Sequence, residues 1–566
     1  MSASLRIRGG RVVDPANRVD ALCDVLVRDG RIVDPALAVE GRVEEVDASG
    51  CVVMAGGIDM HTHIGGGKVN LARLLLPEDH RATGARHAEP IALPENALEL
   101  ASCGACAPGT LAIGYRYVEM GYTSAFEPAM LPANARHAHM EMGDVPVLDH
   151  GAYVMLGSDE LLLRMLSRGE DFARIRDYVG WTINANKAMG LKVVNPGGIS
   201  AFKFNQRKLN VDEEHVHWHV TPRQIVHTLA RAVRELGVPH PLHIHGSNLG
   251  VAGNIVSTLA TIDALEGLPA HLTHIQFHSY GAEGPKKFSS AAHELAEAVN
   301  ANRNVSIDVG QIMFGQTVTA SGDTMRQHPN AVFANPRKWI GADIECEAGC
   351  GVVPFRYRET SYVNALQWAI GLEIFLLVDD PWRIALTTDH PNGGPFTSYP
   401  HLIRLLMDKG FRDEQLAKLH PDVAANCTLP SIRRELTLSE IATMTRAAPA
   451  RLLGLADRGH LGSGAAADIA IYRDDAQDRE AMFATPEYVF KDGLLVARAG
   501  RVTALPVGGT HFVAPGYDRA IEKTLRKHWA DEGSVNFEHV AIGHDELCAC
   551  CNGGRLLPVA CFEGAS

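Results

Sequence analysis

The order of apolar and polar positions divides the chain into two patterns. Near the start, Leu5-Arg-Ile-Arg8, Asp24-Val-Leu-Val27 and Arg31-Ile-Val33 alternate with a period of two around an Asp29-Gly30 turn. Such alternation predicts short half-buried strands, and Asp-Gly between two of them predicts a hairpin. The same pattern returns late in the chain, in Ala467-Asp-Ile-Ala-Ile-Tyr472, Tyr488-Val-Phe490 and Leu494-Leu-Val-Ala497, with a second turn at Asp492-Gly493. Two ends with one pattern predict a single small β-sandwich domain assembled from residues 1–55 and 455–510.

In the middle the period lengthens. Leu161–Arg168, Phe172–Met189, Pro222–Leu236 and Ser289–Asn302 follow the helical repeat. Between them lie short β-rich runs: Lys192-Val-Val, Leu242-His-Ile-His245, Leu272-Thr-His-Ile275, Val305-Ser-Ile-Asp308 and Ile384-Ala-Leu-Thr-Thr388. Strand–helix alternation on this scale predicts parallel βα units, and a (β/α)8 TIM-type barrel over 56–454 is the simplest closure. Residues 511–566 fit neither pattern. Their amphipathic stretch Tyr517–Trp529 and apolar patch Leu556–Phe562 suit either a cover for the chain's own core or an interface with another subunit.

Composition narrows the classes. At 46% apolar and 21% charged, the chain is ordinary globular protein, and its net charge of −13 disfavours a phosphate-binding surface, so no nucleic-acid partner is expected. The start, Met1-Ser-Ala-Ser-Leu-Arg-Ile-Arg8, has no apolar run ahead of a small-residue cleavage site. The most apolar stretch, about 365–378, is interrupted by Gln367 and Glu373 and is too short to span a bilayer. With eleven cysteines in no regular framework, the chain reads as cytoplasmic. Cys103-Gly-Ala-Cys106 and Cys548-Ala-Cys-Cys551 lack second pairs at zinc-ribbon spacing and read as structural thiols.

The candidate chemistry begins at Gly56-Gly-Ile-Asp-Met-His61-Thr-His63. Period-two geometry puts both imidazoles on one side of a strand, where they can grip one zinc-like ion. His-x-His is weak evidence in a chain with 27 histidines, but other ligand types sit at the ends of other strands: Lys192, His245, His274 and Asp389. Barrel enzymes place their catalytic groups at the C-terminal ends of the strands, where these would converge. Two choices stay open, His243 against His245 and Lys203 against Lys192.

Longer motifs carry a resemblance. Ala55-Gly-Gly-Ile-Asp-Met-His-Thr-His63 and Pro449-Ala-Arg-Leu-Leu-Gly-Leu455 through Gly459-His-Leu-Gly-Ser-Gly464 to Ala467-Asp-Ile-Ala470 resemble two hallmarks of the amidohydrolase superfamily. Leu191-Lys-Val-Val-Asn-Pro-Gly-Gly198, Thr273-His-Ile-Gln-Phe-His-Ser-Tyr-Gly281 and Thr388-Asp-His-Pro-Asn-Gly-Gly-Pro-Phe396 are similar to the A-type component of formylmethanofuran dehydrogenase. Its bacterial relative is the hydrolase subunit of the formyltransferase/hydrolase complex. The resemblance implies two divalent metal ions, zinc by family habit. His61, His63 and Asp389 would hold one, His245 and His274 the other, and Lys192 would bridge them as an N6-carboxylated lysine. Asp389 would also be the catalytic proton carrier, with Asn195, His278, Tyr280 and Asn392 near the substrate. The implied reaction is hydrolysis of the formyl amide of N-formylmethanofuran to formate and free amine. It would take place in a complex with other subunits, among them a formyltransferase subunit. The rival readings are a cyclic-amide hydrolase of hydantoinase or dihydroorotase type, and a catalytically silent assembly subunit.

Overall fold

The computed structural model describes residues 4–562 apart from 37–41, 85–103, 207, 285, 322–339, 343–349, 534–535 and 551–553. Cys103 and Cys551 lie outside the described residues, while Cys106 is buried and Cys548 exposed, both as free thiols.

The two ends of the chain meet in two sheets. Arg31–Val33, Val25–Arg28, Ser4–Arg8 and Val43–Asp47 form the smaller one. In the larger, Ile469–Arg473 runs antiparallel beside Cys51–Ala55, so a late strand completes a sheet begun by early ones. Inward residues of both sheets, among them Ile7, Val27, Ile32, Val53, Ile469, Ile471 and Phe490, share one core, which makes this unit a sandwich. The two Asp-Gly turns adopt left-handed backbone at both central residues, Asp29 (φ 51) with Gly30 (φ 74) and Asp492 (φ 48) with Gly493 (φ 78). They also abut. A Cβ on Gly30 would come within 2.8 Å of the Asp492 carbonyl oxygen, so glycine is required there for close approach as well as for φ.

Between these ends runs a parallel sheet of eight strands: β1 Gly57–Asp59, β2 Tyr122–Met130, β3 Asp149–Met155, β4 Gly190–Val194, β5 Leu242–His245, β6 Ala270–Leu272, β7 Val305–Asp308 and β8 Ile384–Ala385. Each pairs with the next. The circle closes just beyond the last ladder residues, where Thr62 bridges His390 in parallel and the His63 N–H donates to the His390 carbonyl at 2.9 Å. The architecture is the expected TIM-type barrel with a sandwich built from both ends.

Alternation along the strands sorts the side chains. Leu191, Val193, Leu242 and Ile244 join the apolar layer beneath the helices, together with Val226 and Leu229 of helix Pro222–Glu235. That helix starts where the sequence demands it. Thr221 and Gln224 cap one another's backbone groups, and Pro222 takes the first turn, where a missing N–H is harmless. Two strands are shorter than their apolar patterns predict. β6 stops at Leu272, and His274 turns left-handed (φ 36) into a 3-10 turn; β8 stops at Ala385 ahead of Asp389 (φ 52). Both ligand-type residues therefore stand on backbone that has already left the ladder. Helix formation also begins later than the pattern predicts at Ser289, whose segment first pairs as a short strand before helix Ala292–Ala301.

The apolar stretch around 365–378 belongs to helix Tyr362–Leu377, buried along nearly its whole length. Glu373 survives there because Ser290 and Thr428 donate hydrogen bonds to its carboxylate. No helix among the described residues is long and apolar enough to cross a membrane. The tail covers its own barrel. Thr510–Val513 pairs with β3 at its N-terminal end, Leu556–Val559 pairs with Thr510–Val513, and Phe537 beyond helix Ile521–Glu532 stacks on Trp181 at 5.2 Å.

Candidate metal centre

Strand geometry brings the ligand-type residues to one place at the C-terminal ends of the strands. His63, Lys192, His245, His274, Asp389 and Asn392 line one narrow cavity, joined by Lys68. His61 stands beside it, with Nε2 3.1 Å from Asp389 Oδ1, while His63 Nε2 lies 3.5 Å from the same oxygen. The register explains the gathering on one side. Lys192 pairs with His243 and Val194 with His245, so Lys192 and His243 share a level and His245 stands one level nearer the mouth.

Each imidazole of the His-x-His pair is held from behind. His61 Nδ1 lies 3.0 Å from Asp308 Oδ2, and His63 Nδ1 lies 2.7 Å from Glu127 Oε1. Those carboxylates are themselves fixed. Asp308 accepts from Thr273 Oγ1 (2.7 Å) and the His274 N–H (2.6 Å); Glu127 accepts from the Ile64 N–H (2.8 Å). A carboxylate behind each ring orients it with Nε2 forward, the arrangement that metal-binding histidines use. Burial would raise the Asp308 carboxyl, but the imidazoles of His61 and His271 more than reverse this and hold it low. Glu127 shows the opposite balance: burial outweighs its backbone hydrogen bonds and lifts it to about 7.

Two observations favour an ion. Asp389 Oδ1 and His274 Nδ1 are buried without hydrogen-bond partners, an expensive state for polar atoms in a protein interior. His61 Nε2, His63 Nε2 and an Asp389 oxygen also lie mutually within ligand range. His61, His243 and Asp308 form another such group, but hydrogen bonds already join their facing atoms, with His243 Nε2 at 2.9 Å from His61 Nδ1. The N/O donor set suits a zinc-like divalent cation. Burial, and after it the nearby Lys68 charge, pulls the Lys192 ammonium down to about 7.

The alternatives separate in space. His245 reaches the cavity with its ring 4.5 Å from that of His274, while His243 lies deeper in the barrel. Lys203, at the end of helix Gly198–Lys203, is exposed and does not line the cavity. Of the expected substrate residues, Asn392 lines the cavity, and the His278 ring stacks on His274 with centroids 5.5 Å apart. Asn195 turns the chain after β4 (φ 43) and anchors it through its N–H to the His245 carbonyl at 2.9 Å. Tyr280 is fully buried and does not line the cavity, and its hydroxyl accepts from Gln367 Nε2 at 2.8 Å. The 3-10 turn Ile275–His278 intervenes, so nearness in sequence to His274 does not carry Tyr280 to the mouth. Sequence reasoning missed Asp308, Glu127 and Lys68. Asp308 did carry a signal, being the carboxylate that ends a barrel strand.

The chain is similar to known proteins over nearly its whole length. The amidohydrolase family model matches residues 44–497. The chain is 44% identical over 542 residues to the A component of the formyltransferase/hydrolase complex Fhc of Methylorubrum extorquens, covering 95% of this chain and 96% of the relative. It is 40% identical over 562 residues to protein FwdA of Methanocaldococcus jannaschii, with the same coverage of 95% and 96%. Among solved structures it matches a chain of the formyltransferase/hydrolase complex (FhcABCD) from Methylorubrum extorquens in complex with methylofuran. That match has a TM-score of 0.90 and 43% identity, and covers 99% of this chain and 100% of the other.

Proposed function

This chain belongs to the amidohydrolase family, and from that premise we propose that it hydrolyses the formyl amide of an N-formylmethanofuran-type amine to formate and the free amine. In this reading His61, His63 and Asp389 would hold one divalent ion and His245 and His274 a second, and Lys192, once its neutral amine has added to carbon dioxide and lost a proton, would serve both as a carbamate. The product would be an anionic carbamate, which offers oxygen ligands that the amine lacks. Zinc is the proposed metal. When bound, such a pair supplies hydroxide near neutral pH and polarises the scissile carbonyl.

The remaining roles fall to the chain's own groups. Asp389 Oδ1 takes the proton from the attacking water and returns it to the leaving nitrogen, a transfer suited to a carboxylate beside His61 and His63. Asn392 reaches the cavity and is placed to orient the amide, and His278 supports His274 from behind. Asn195 acts through the turn that follows β4 rather than as a first contact, and Tyr280 is left out. The observation that carries the reading is the convergence of these ligand types around Asp389 Oδ1, a buried oxygen without a hydrogen-bond partner.

The substrate class and company come from the relatives. A complex named for both formyl transfer and hydrolysis, solved with methylofuran, supports a methanofuran-like amine as substrate and partnership with a formyltransferase subunit. The test is formate release from N-formylmethanofuran by the complex purified from its own host. Asp389→Asn should lower turnover by about 10²–10⁴-fold, the usual worth of a proton carrier, while keeping formyl transfer. Unchanged formate release in that variant would remove Asp389 from the chemistry. A chain that purifies alone as a fully active hydrolase would end the assembly claim.

A further inference from the structure

Most barrels of this kind fill their interior with branched aliphatic side chains. This one buries a column of rings instead. His61, His243, His240, His271 and Tyr153 are essentially inaccessible to solvent, with His61–His243 centroids at 4.9 Å, His243–His240 at 5.2 Å and Tyr153–His240 at 4.7 Å. The imidazoles are linked in series. His240 Nδ1 lies 3.2 Å from the Leu452 carbonyl oxygen, His240 Nε2 lies 3.0 Å from His243 Nδ1, and His243 Nε2 lies 2.9 Å from His61 Nδ1.

Donor and acceptor rules leave this series one solution. A carbonyl oxygen only accepts, so His240 Nδ1 carries the hydrogen. In the buried neutral ring, Nε2 is then an acceptor, so His243 must donate through Nδ1. That leaves His243 Nε2 bare, and His61 must carry its hydrogen on Nδ1. In the neutral ring that a metal ligand requires, His61 Nε2 is then the lone pair, and it is the atom that faces Asp389. We infer that the Leu452 carbonyl, acting through His240 and His243, sets the tautomer of His61 and so presents Nε2 to the metal centre, which makes His240 and His243 positioning residues. The inference rests on the metal-centre reading given above.

Two features strengthen the assignment. Leu452 lies in the last turn of helix Ala448–Leu453, where carbonyls have no partner further along the helix, and Gly454 (φ 73) ends that helix in the left-handed conformation. Its oxygen is thus available to anchor the series. Asp308 Oδ2 and Thr273 Oγ1, whose own hydrogen goes to Asp308, also face His61 Nδ1 as acceptors and share its hydrogen with His243. The work of the series accordingly falls on His243. Were its Nε2 to carry a hydrogen, two N–H groups would meet head-on at 2.9 Å and push His61 from its seat.

The test uses the full chain in the assembly in which it purifies, with zinc alone as probe in chelator competition. His240→Gln keeps a carbonyl oxygen for His243 and an N–H for Leu452; His240→Leu keeps bulk but neither function. Zinc affinity should fall about 10-fold or more in His240→Leu and less than about threefold in His240→Gln, within the range for groups that orient metal ligands. Equal affinity in parent and His240→Leu, or equal loss in both variants, would overturn the inference. If His240→Leu does not fold, the ion-free parent decides. In ¹⁵N-histidine-labelled protein, the His61 signals, identified by their loss in His61→Gln, should show protonated Nδ1 and bare Nε2. A bare Nδ1 would overturn the proposal. A parent that binds no zinc at all would instead sink the metal-centre reading.

Discussion

At the mouth of the barrel Asp389 Oδ1 is buried with no hydrogen-bond partner, whereas at the floor both oxygens of Asp149 are fully engaged. Asp149 Oδ1 accepts from the Gly509 N–H at 2.8 Å, and Oδ2 accepts from Lys491 Nζ at 2.7 Å and Arg458 Nη2 at 3.0 Å. Lys491 also reaches Asp468 at 2.9 Å. One carboxylate thus ties the barrel to the sandwich and to the tail. Both regions bury charge, but at the floor each carboxylate oxygen of Asp149 finds a donor, even though the neighbouring His511 ring keeps both nitrogens without hydrogen-bond partners. A buried ion cluster that satisfies itself serves architecture. One that leaves lone pairs converging on a common point offers itself to a ligand from outside the chain.

The comparison can be broken at either end. The largest effect is expected at the mouth. Lys192→Ala should reduce bound metal and cut turnover about 10³-fold or more, because several kcal/mol of charge stabilisation would be lost. Metal analysis beside the formate assay checks this, and a short carboxylic acid should restore part of the activity. Full metal content and full turnover in the variant would place the bridge elsewhere.

At the floor the loss should be stability alone. Asp149→Ala removes one anion from beside Lys491 and Arg458, which keep Asp468, a defect worth about 1.5–3 kcal/mol in denaturant melts, with metal content per folded chain unchanged. The effect should also depend on pH with a definite sign. Burial pushes the Asp149 carboxyl up, but Lys491 and then Arg458 overcome this and hold it well below the usual carboxylate range. A folded value below the unfolded one, about 4, contributes stability that is present above that pH and is lost as the pH falls through the folded value. The gap between parent and Asp149→Ala should therefore be widest near neutrality and shrink in acid. A gap independent of pH would mean that Asp149 acts through packing rather than charge.

The smallest effect concerns Tyr280. Tyr280→Phe should cost about 1 kcal/mol through the bond lost to Gln367 and leave KM unchanged. A raised KM with unaltered stability would bring Tyr280 back to the substrate.

Much of the architecture was legible in the sequence because it rests on local periodicity. The two-residue alternation at both ends marks the sandwich, and strand–helix alternation marks the barrel. Candidate ligands could be nominated because a ligand-type residue at the end of an apolar run is a local feature, as at His61, Lys192 and His245. The tail was harder to place. Thr510 pairs with His150, a contact between remote segments that no local pattern encodes. His243 and His245 are equivalent in period, and only the barrel's register puts one on the cavity and the other beneath it. Sequence alone determined which elements form and which residue types stand at their ends, since backbone sterics and apolar spacing act over a few residues. Tertiary structure decided which of those residues meet, which polar atoms are left unpaired and which nitrogen of His61 bears the hydrogen. Those outcomes depend on closing the first strand against the last and on a carbonyl contributed by a helix far along the chain.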